Sequence, residues 1–165
     1  MQSQARSGRM EAVAPHPLAE LLECPPATGN LLNGSTVPID FVAGDVLFNQ
    51  SAISRGLYVV ISGRLLRRTE RMHAHLLLGP VRAGELVELA AVLGDGCHTY
   101  TLTAQSSGSA LLLPIQALSL AFQQYPPLRM HLLEELAREV SRAYNACCMT
   151  RATKVRRHGP DALGE

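Results

Sequence analysis

The segment AGELVELAAVLGDGCHTYTLTA, residues 83–104, holds the residue types in this chain that could do chemistry. It has carboxylates at Glu85 and Glu88, an imidazole at His98, and a Gly-Asp-Gly turn before a run of hydroxyl residues. Glycine-rich turns with free backbone N–H groups are typical of loops that bind phosphate. No Arg or Lys lies within residues 83–128, so the segment lacks the positive charge that holds an anion.

The composition predicts a single globular domain with appendages. The chain has 165 residues, a hydrophobic fraction of 47% and a net charge of +1, so it can bury a core and presents no broad field that attracts nucleic acid. Four cysteines form no C-x-x-C pair, and no secretory signal precedes residue 30. We therefore expect a reduced, cytoplasmic protein without a membrane span, because no apolar run approaches about 18 residues.

Short strand-like segments fill the middle of the chain. From Val37 onward, runs of apolar and β-branched residues are separated by glycine-containing turns such as AGDV and ISGRL. This pattern predicts a β-sandwich or β-roll over residues 37–125. Residues 1–36 are rich in Ser, Gly, Pro and Asn, and predict an arm with one short helix near residues 17–24.

The apolar period changes to that of a helix after residue 114. Pro114 begins one predicted helix, and Pro126-Pro127 ends it and starts a long helix over residues 126–152. Leu133, Val140 and Tyr144 belong to its apolar stripe, whereas charged residues including Glu139 are expected on other faces. The stripe packs either on its own roll or on a second copy, and its length favours a homodimer. Residues 153–165 are expected to form a flexible tail.

The order of arm, β-roll, loop and long helix resembles the sensory domain of the Crp/Fnr family of bacterial transcription regulators. The likeness runs from about Val37 to Thr150 and is carried by GDVLFNQSAISRGLYVVISGRL, residues 44–65. The matching residues there include Gly44, Asp45, Gly56, Tyr58 and Gly63. The resemblance implies a mainly β fold with helices, namely a cyclic-nucleotide-binding-like β-roll (jelly roll) followed by a long C-terminal dimerisation helix.

The resemblance also assigns roles within the loop. In nucleotide-binding members the loop reads Gly-Glu-Leu, an apolar turn and then Arg-Ser or Arg-Thr, where the Glu takes the ribose hydroxyl and the Arg holds the phosphate. Glu88 and Leu89 match the Glu-Leu, and Thr99 matches the Ser or Thr. Val87 stands in place of the Gly and His98 in place of the Arg, so we expect weak or absent binding of cyclic AMP and cyclic GMP.

A second alignment places Gly84-Glu85-Leu86 on the motif, but His98 still faces the missing Arg. In the long helix, the positions that reach the purine in nucleotide-binding relatives correspond to Ala143 and Tyr144. The phrase VSRAYNACC is similar to a helix of Crp/Fnr relatives whose signal is not a cyclic nucleotide. The candidate ligand-binding residues are therefore Glu88, Leu89, His98, Thr99 and Tyr144, with a small-molecule effector and no cofactor.

Family members continue into a winged helix-turn-helix, and this sequence reaches Glu165 without one. The chain is expected to be either a stand-alone sensor or the sensory part of a longer regulator. Its last basic residues are Arg151, Lys154, Arg156 and Arg157. Such a cluster can touch phosphate but cannot read bases, so no direct DNA binding is expected from this chain alone.

Two further functions stay open. One is a ligand-free dimerisation module that modulates a full-length regulator. The other is a cupin-like metalloenzyme, since His73 and His75 are two apart on a strand and Glu85 and His98 follow. The cupin pattern requires the Glu closer to the pair, so no metal site is predicted. The sequence lacks a nucleophile elbow and a P-loop, and it predicts no enzyme activity.

Overall fold

The computed structural model describes residues 18–71 and 74–156 of the chain. Eight strands and five helices lie within these residues. The strands are β1 (Val37–Phe41), β2 (Val46–Phe48), β3 (Gly56–Ser62), β4 (Leu65–Arg71), β5 (Ala74–Val81), β6 (Leu86–Val87), β7 (Thr101–Ala104) and β8 (Gly108–Pro114). The helices are α1 (Leu18–Leu21), α2 (Pro26–Ser35), α3 (Leu89–Leu93), α4 (Ile115–Gln124) and α5 (Pro127–Arg156).

The strands form two four-stranded antiparallel sheets, one in the order β1-β8-β3-β6 and one in the order β2-β7-β4-β5. The mainly β roll predicted from the sequence is confirmed. The turn between β3 and β4 requires a glycine, because Gly63 has φ +87 and a Cβ there would lie 2.8 Å from the Ser107 carbonyl oxygen. This tight turn passes the chain from one sheet to the other.

Two apolar clusters hold the roll together. One lies between the sheets and includes Phe41, Phe48, Tyr58, Val87, Tyr100 and Leu112. The other lies between the roll and the helices and includes Leu18, Leu22, Leu32, Leu57, Leu89, Leu118, Leu128 and Leu132. Each fully buried leucine contributes roughly 2 kcal/mol by removing apolar surface from water.

Helix α2 is a feature that the sequence pattern did not predict. It starts at Pro26, where proline suits a first helical turn, but Gly and Asn in PATGNLLNGS are poor helix formers and hide it. Tertiary packing stabilises it instead, since Leu32 is fully buried. Gly29 allows this packing, because a Cβ there would come within 2.5 Å of the Ala19 Cβ.

The face of α5 that packs against the roll is not the face that carries the predicted apolar stripe. Leu128 and Leu132 are buried against the roll, whereas Val140 and Tyr144 are 59% and 69% exposed. Glu139, which was expected off the apolar stripe, lies on the face toward the roll, where its carboxylate pairs with Arg67 of β4. A seven-residue repeat identifies a stripe but cannot tell which surface covers it. Within the described residues no helix is long and apolar enough to cross a membrane.

Candidate functional site

The loop predicted to do chemistry starts where β6 ends. Glu88 follows β6 directly, takes a left-handed conformation with φ 81 and ψ 26, and precedes the first residue of α3. A non-glycine residue in this region is strained and is held there by its surroundings. The Gly84 turn lies earlier, between β5 and β6. The structure thus begins helix α3 at Leu89, directly after Glu88.

The Glu88 and His98 side chains pair with each other in the interior of the roll. Their residues are only 1% and 4% exposed, and Glu88 Oε2 is hydrogen-bonded to His98 Nδ1. The imidazole also stacks on the Phe48 ring, with centroids 3.8 Å apart and planes 6° from parallel. Among the described residues, Glu88 Oε1 has no hydrogen-bond partner. The pair is therefore buried in the core of the roll, with the Phe48 ring packed against the imidazole.

Tyr100 accepts a hydrogen bond from a backbone N–H group of the same loop. Its hydroxyl accepts a hydrogen bond from the Glu88 N–H at 3.3 Å, and its ring is buried. The backbone of His98 is fixed too, since its N–H donates to the Ala52 carbonyl and its carbonyl accepts from the Ser51 N–H, both at 2.8 Å. The N–H of Glu88 and one of its two carboxyl oxygens are thus used internally.

Burial sets the protonation of the pair. It raises the pKa of the Glu88 carboxyl to about 8, with smaller opposing effects of the Tyr100 hydroxyl and of Arg67 and a further increase from Glu139. Burial also lowers the pKa of His98, and the positive charge of Arg55 lowers it further. At neutral pH the pair therefore holds one proton on the carboxyl beside a neutral imidazole.

A groove with a volume of about 490 Å³ lies between the roll and α5. Leucines of α1, β5, β6 and α3 form its apolar part. The charged residues that line it are Glu23, Arg67, Glu85, Glu135, Glu139 and Arg142. Arg67 Nη1 lies 3.0 Å from Glu139 Oε1, and Arg67 Nη2 lies 3.9 Å from Glu85 Oε2. The first of these ion pairs connects β4 of the roll to α5.

Comparison with known proteins identifies the family. The sequence profile of the cyclic nucleotide-binding domain matches residues 38–125, which cover the roll and α4. The chain belongs to the cyclic nucleotide-binding domain family. No curated protein sequence matches this cyclic nucleotide-binding domain significantly.

The solved structures that resemble this domain include transcriptional regulators of the Crp/Fnr type, the family that the sequence resembles. The N-terminal domain of a transcriptional regulator from Streptomyces coelicolor A3(2) is 27% identical, with a TM-score of 0.57 over 77% of this chain and 91% of that chain. The sensor domain of the regulator DNR from Pseudomonas aeruginosa is 20% identical, with a TM-score of 0.64 over 79% of this chain and 87% of that chain.

The catabolite activator protein of Thermus thermophilus is also similar, with 20% identity and a TM-score of 0.63. The match covers 86% of this chain and 62% of that chain, so the domain spans less than two thirds of that regulator. At this level of identity the likeness shows the fold alone.

Of the residues assigned to the cyclic nucleotide-binding loop, the structure brings together Glu88 and His98. Leu89, the first residue of α3, is buried in the core, whereas Thr99 is exposed. Tyr144 does not line the groove, and its neighbour Ala143 does. Val87, which replaces the family's glycine, is fully buried in the core of the roll.

Sequence reasoning missed Phe48, Tyr100 and Arg67. Tyr100 carried a signal, since it alternates with Leu102 toward the core in the HTYTLTA segment. Phe48 and Arg67 come from other strands, and their proximity to the loop depends on how β2, β4 and β7 pair.

The metal alternative finds no support within the described part of the cyclic nucleotide-binding domain. There, no group of three His, Cys, Asp or Glu residues is arranged to hold an ion. His73 lies outside the described residues, as does the side chain of His75. Glu85 is on a half-exposed turn and His98 is paired with Glu88. The family and fold are regulatory rather than enzymatic.

Proposed function

We propose that this chain is the effector-sensing domain of a Crp/Fnr-type regulator whose loop no longer takes the phosphate of a cyclic nucleotide. The observation that carries this proposal is the pairing of Glu88 with His98 in the core. The Glu that would take a ribose hydroxyl is already bound by the residue that stands where the phosphate-binding Arg belongs. A nucleotide would have to break this pair and the contact between Tyr100 and Glu88 before it could bind.

Charge opposes phosphate binding as well. His98 has a lowered pKa and is neutral at pH 7. No Lys or Arg lies within residues 83–128, and the nearby guanidinium of Arg67 is paired with Glu139. A cyclic phosphate brought into this loop would lose its hydration without gaining a counter-charge, which is an expensive transfer.

The groove between the roll and α5 is the site that we assign to an effector. Its walls belong to two parts of the molecule, and the Arg67–Glu139 ion pair spans them. A ligand that favours one spacing of these walls would shift α5 relative to the roll, and thereby any element attached to the helix. Four glutamates and two arginines line the groove, so it is not a general anion site.

We further propose that the chain acts as a cytoplasmic homodimer through the outer face of α5. Met130, Val140 and Tyr144 are all more than half exposed along this face. Val140→Glu is expected to give a folded monomer, because a charge replaces an apolar residue at the centre of the proposed seam. Light scattering measures the mass. Ser141→Glu, at an exposed neighbouring position, is the matched control and should stay dimeric.

Calorimetric titration with cyclic AMP and cyclic GMP tests the closed loop. We expect no binding with a Kd below about 1 mM, and 5′-AMP serves as the control for nonspecific heat. Micromolar binding of either cyclic nucleotide would overturn the proposal.

A ligand-free dimerisation module is the second candidate, and the hydrogen bonds that Glu88 makes to His98 and Tyr100 within the core favour it. Native mass spectrometry separates the two functions. A small molecule that co-purifies and is lost in the Arg67→Met variant supports sensing through the groove. A bare dimer, in which neither protein carries a ligand, supports the module.

A further inference from the structure

The Glu88–His98 pair has a second property besides closing the loop, since it places two titratable groups in the apolar core at the start of a helix. Glu88 precedes α3, and His98 lies on the segment that follows the turn after α3. The pair thus joins the two ends of the loop. A change in its charge would act on both ends, because the Phe48 ring and the core leave no solvent to screen it.

Groups from four other segments face the pair. Arg67 of β4 and Glu139 of α5 act on the charge of Glu88, and they largely cancel since they are paired with each other. Tyr100 remains protonated, because burial raises the pKa of its hydroxyl far above its usual range. The titratable and charged groups that face the pair are Arg55 before β3, Arg67 on β4, Tyr100 on β7 and Glu139 on α5.

Physical contacts lead from the pair to the long helix. Helix α3 packs against α5. A second route runs through Tyr100, whose hydroxyl holds the Glu88 N–H, to Arg67, whose guanidinium lies 5.7 Å from the Tyr100 ring centroid and pairs with Glu139. A rearrangement at Glu88 is therefore transmitted to two places on the inner face of α5.

We propose that the Glu88–His98 pair is a proton-responsive switch, in which release of the shared proton to solvent loosens the packing of α3 against α5. With one proton on Glu88 the pair is neutral and its hydrogen bond is made. Without it, a carboxylate faces the apolar core with one oxygen lacking a partner among the described residues. The use of this switch in signalling depends on the function proposed above, whereas the switch itself depends only on the pair.

The sign of the pH dependence follows from the raised pKa of Glu88. A carboxyl whose folded pKa lies above its unfolded value stabilises the fold below the unfolded pKa, and loses that contribution as pH rises through about 8. His98 titrates on the acid side, because its pKa is lowered. The alkaline transition therefore belongs to Glu88.

Hydrogen–deuterium exchange of residues 86–98, corrected for the intrinsic effect of pH, tests the switch on the full chain. From pH 7 to pH 9, which brackets the Glu88 pKa of about 8, protection in the unmodified protein should fall about tenfold, since the opening equilibrium rises about tenfold per pH unit below the folded pKa and levels off above it. Glu88→Gln, which keeps the shape and a hydrogen bond to His98 but cannot titrate, should show constant protection. Glu134→Gln, at a well-exposed position of α5 that does not line the groove, is the control and should respond like the unmodified protein.

An equal loss of protection in Glu88→Gln and the unmodified protein would overturn the switch, as would constant protection in both. Should Glu88→Gln not fold, infrared spectroscopy of the unmodified protein decides the question. A band of a protonated buried carboxyl at pH 7 that disappears through about pH 8 supports the switch, and its absence at pH 7 rejects it. Cyclic nucleotide binding would instead reject the proposed function and leave these results unchanged.

Discussion

The loop and the groove are two polar regions of one roll, and they differ in what their polar groups contact. In the loop, Glu88 and His98 bind each other in the core, and the Tyr100 hydroxyl accepts the hydrogen bond of the Glu88 N–H. In the groove, Arg67 and Glu139 also pair, but they line an open space of about 490 Å³. The two pairs each contain a glutamate, yet they have different access to a ligand.

This contrast between a buried pair and an open groove shows that residue type alone does not make a binding site. A carboxylate sealed in the core is held neutral by the cost of burying its charge, and its contacts serve the fold. On the wall of the groove, burial raises the pKa of the Glu139 carboxyl too, but the Arg67 guanidinium opposes that rise and the side chain keeps some exposure. We expect substitutions in the loop to act mainly on stability and those in the groove mainly on the position of α5.

The largest expected effect comes from removing the ring that seals the loop. Phe48→Ala should reduce the free energy of unfolding by about 3–5 kcal/mol, because Phe48 packs on His98, Tyr58 and Tyr100 and the change leaves a cavity. Urea denaturation measures the loss. Val46→Ala on the same strand is about half exposed and should change stability by less than about 1 kcal/mol. Similar losses for both variants would mean that the loop is not sealed by Phe48.

Breaking the pair itself should have a smaller effect. His98→Ala leaves the Glu88 carboxyl without its partner in the core and should cost about 2 kcal/mol, the usual penalty for an unsatisfied buried polar group. Urea denaturation at pH 7 is the measurement. The neighbouring Thr99 is exposed, so Thr99→Ala should be nearly neutral. If His98→Ala leaves the free energy of unfolding unchanged, that result would contradict the internal pairing.

The smallest loss of stability is expected when the ion pair in the groove is broken. Glu139→Gln removes the charge that pairs with Arg67, and the Arg67 and Glu139 side chains are 13% and 22% exposed. The expected loss is about 1 kcal/mol, since the amide oxygen can still accept a hydrogen bond from the guanidinium. The loss should shrink with added salt, which screens this pair but not the buried one. Glu134→Gln, which is well exposed on the same helix, is the control. A larger loss of stability in Glu139→Gln than in His98→Ala would contradict the view that contacts in the loop serve the fold more than those in the groove.

The sequence predicted the elements of the fold well because their signals are local. Glycine-punctuated strand segments gave β1 to β8, and the proline-bounded periodic runs gave α4 and α5. Helix α2 was missed, since its glycines and asparagines are poor helix formers and only packing of Leu32 stabilises it.

The candidate site was less predictable because its contacts are not local. Glu88 and His98 were identified from the loop, but their pairing depends on the turn after α3. Phe48 and Arg67 approach the loop only because β2 and β4 both pair with β7. Glu139 was predicted off the apolar stripe, but its contact with Arg67 was not predicted, since an apolar repeat does not reveal a charged contact across the groove.

Nitrogen NMR of the His98 ring tests the central claim, that the loop is closed by its own residues, most directly. The account predicts that the ring nitrogens show a neutral, hydrogen-bonded imidazole at pH 7, do not titrate near the ordinary value of about 6.5, and stay unchanged when millimolar cyclic AMP is added. A ring that titrates like a free imidazole, or that shifts on addition of cyclic AMP, would contradict it.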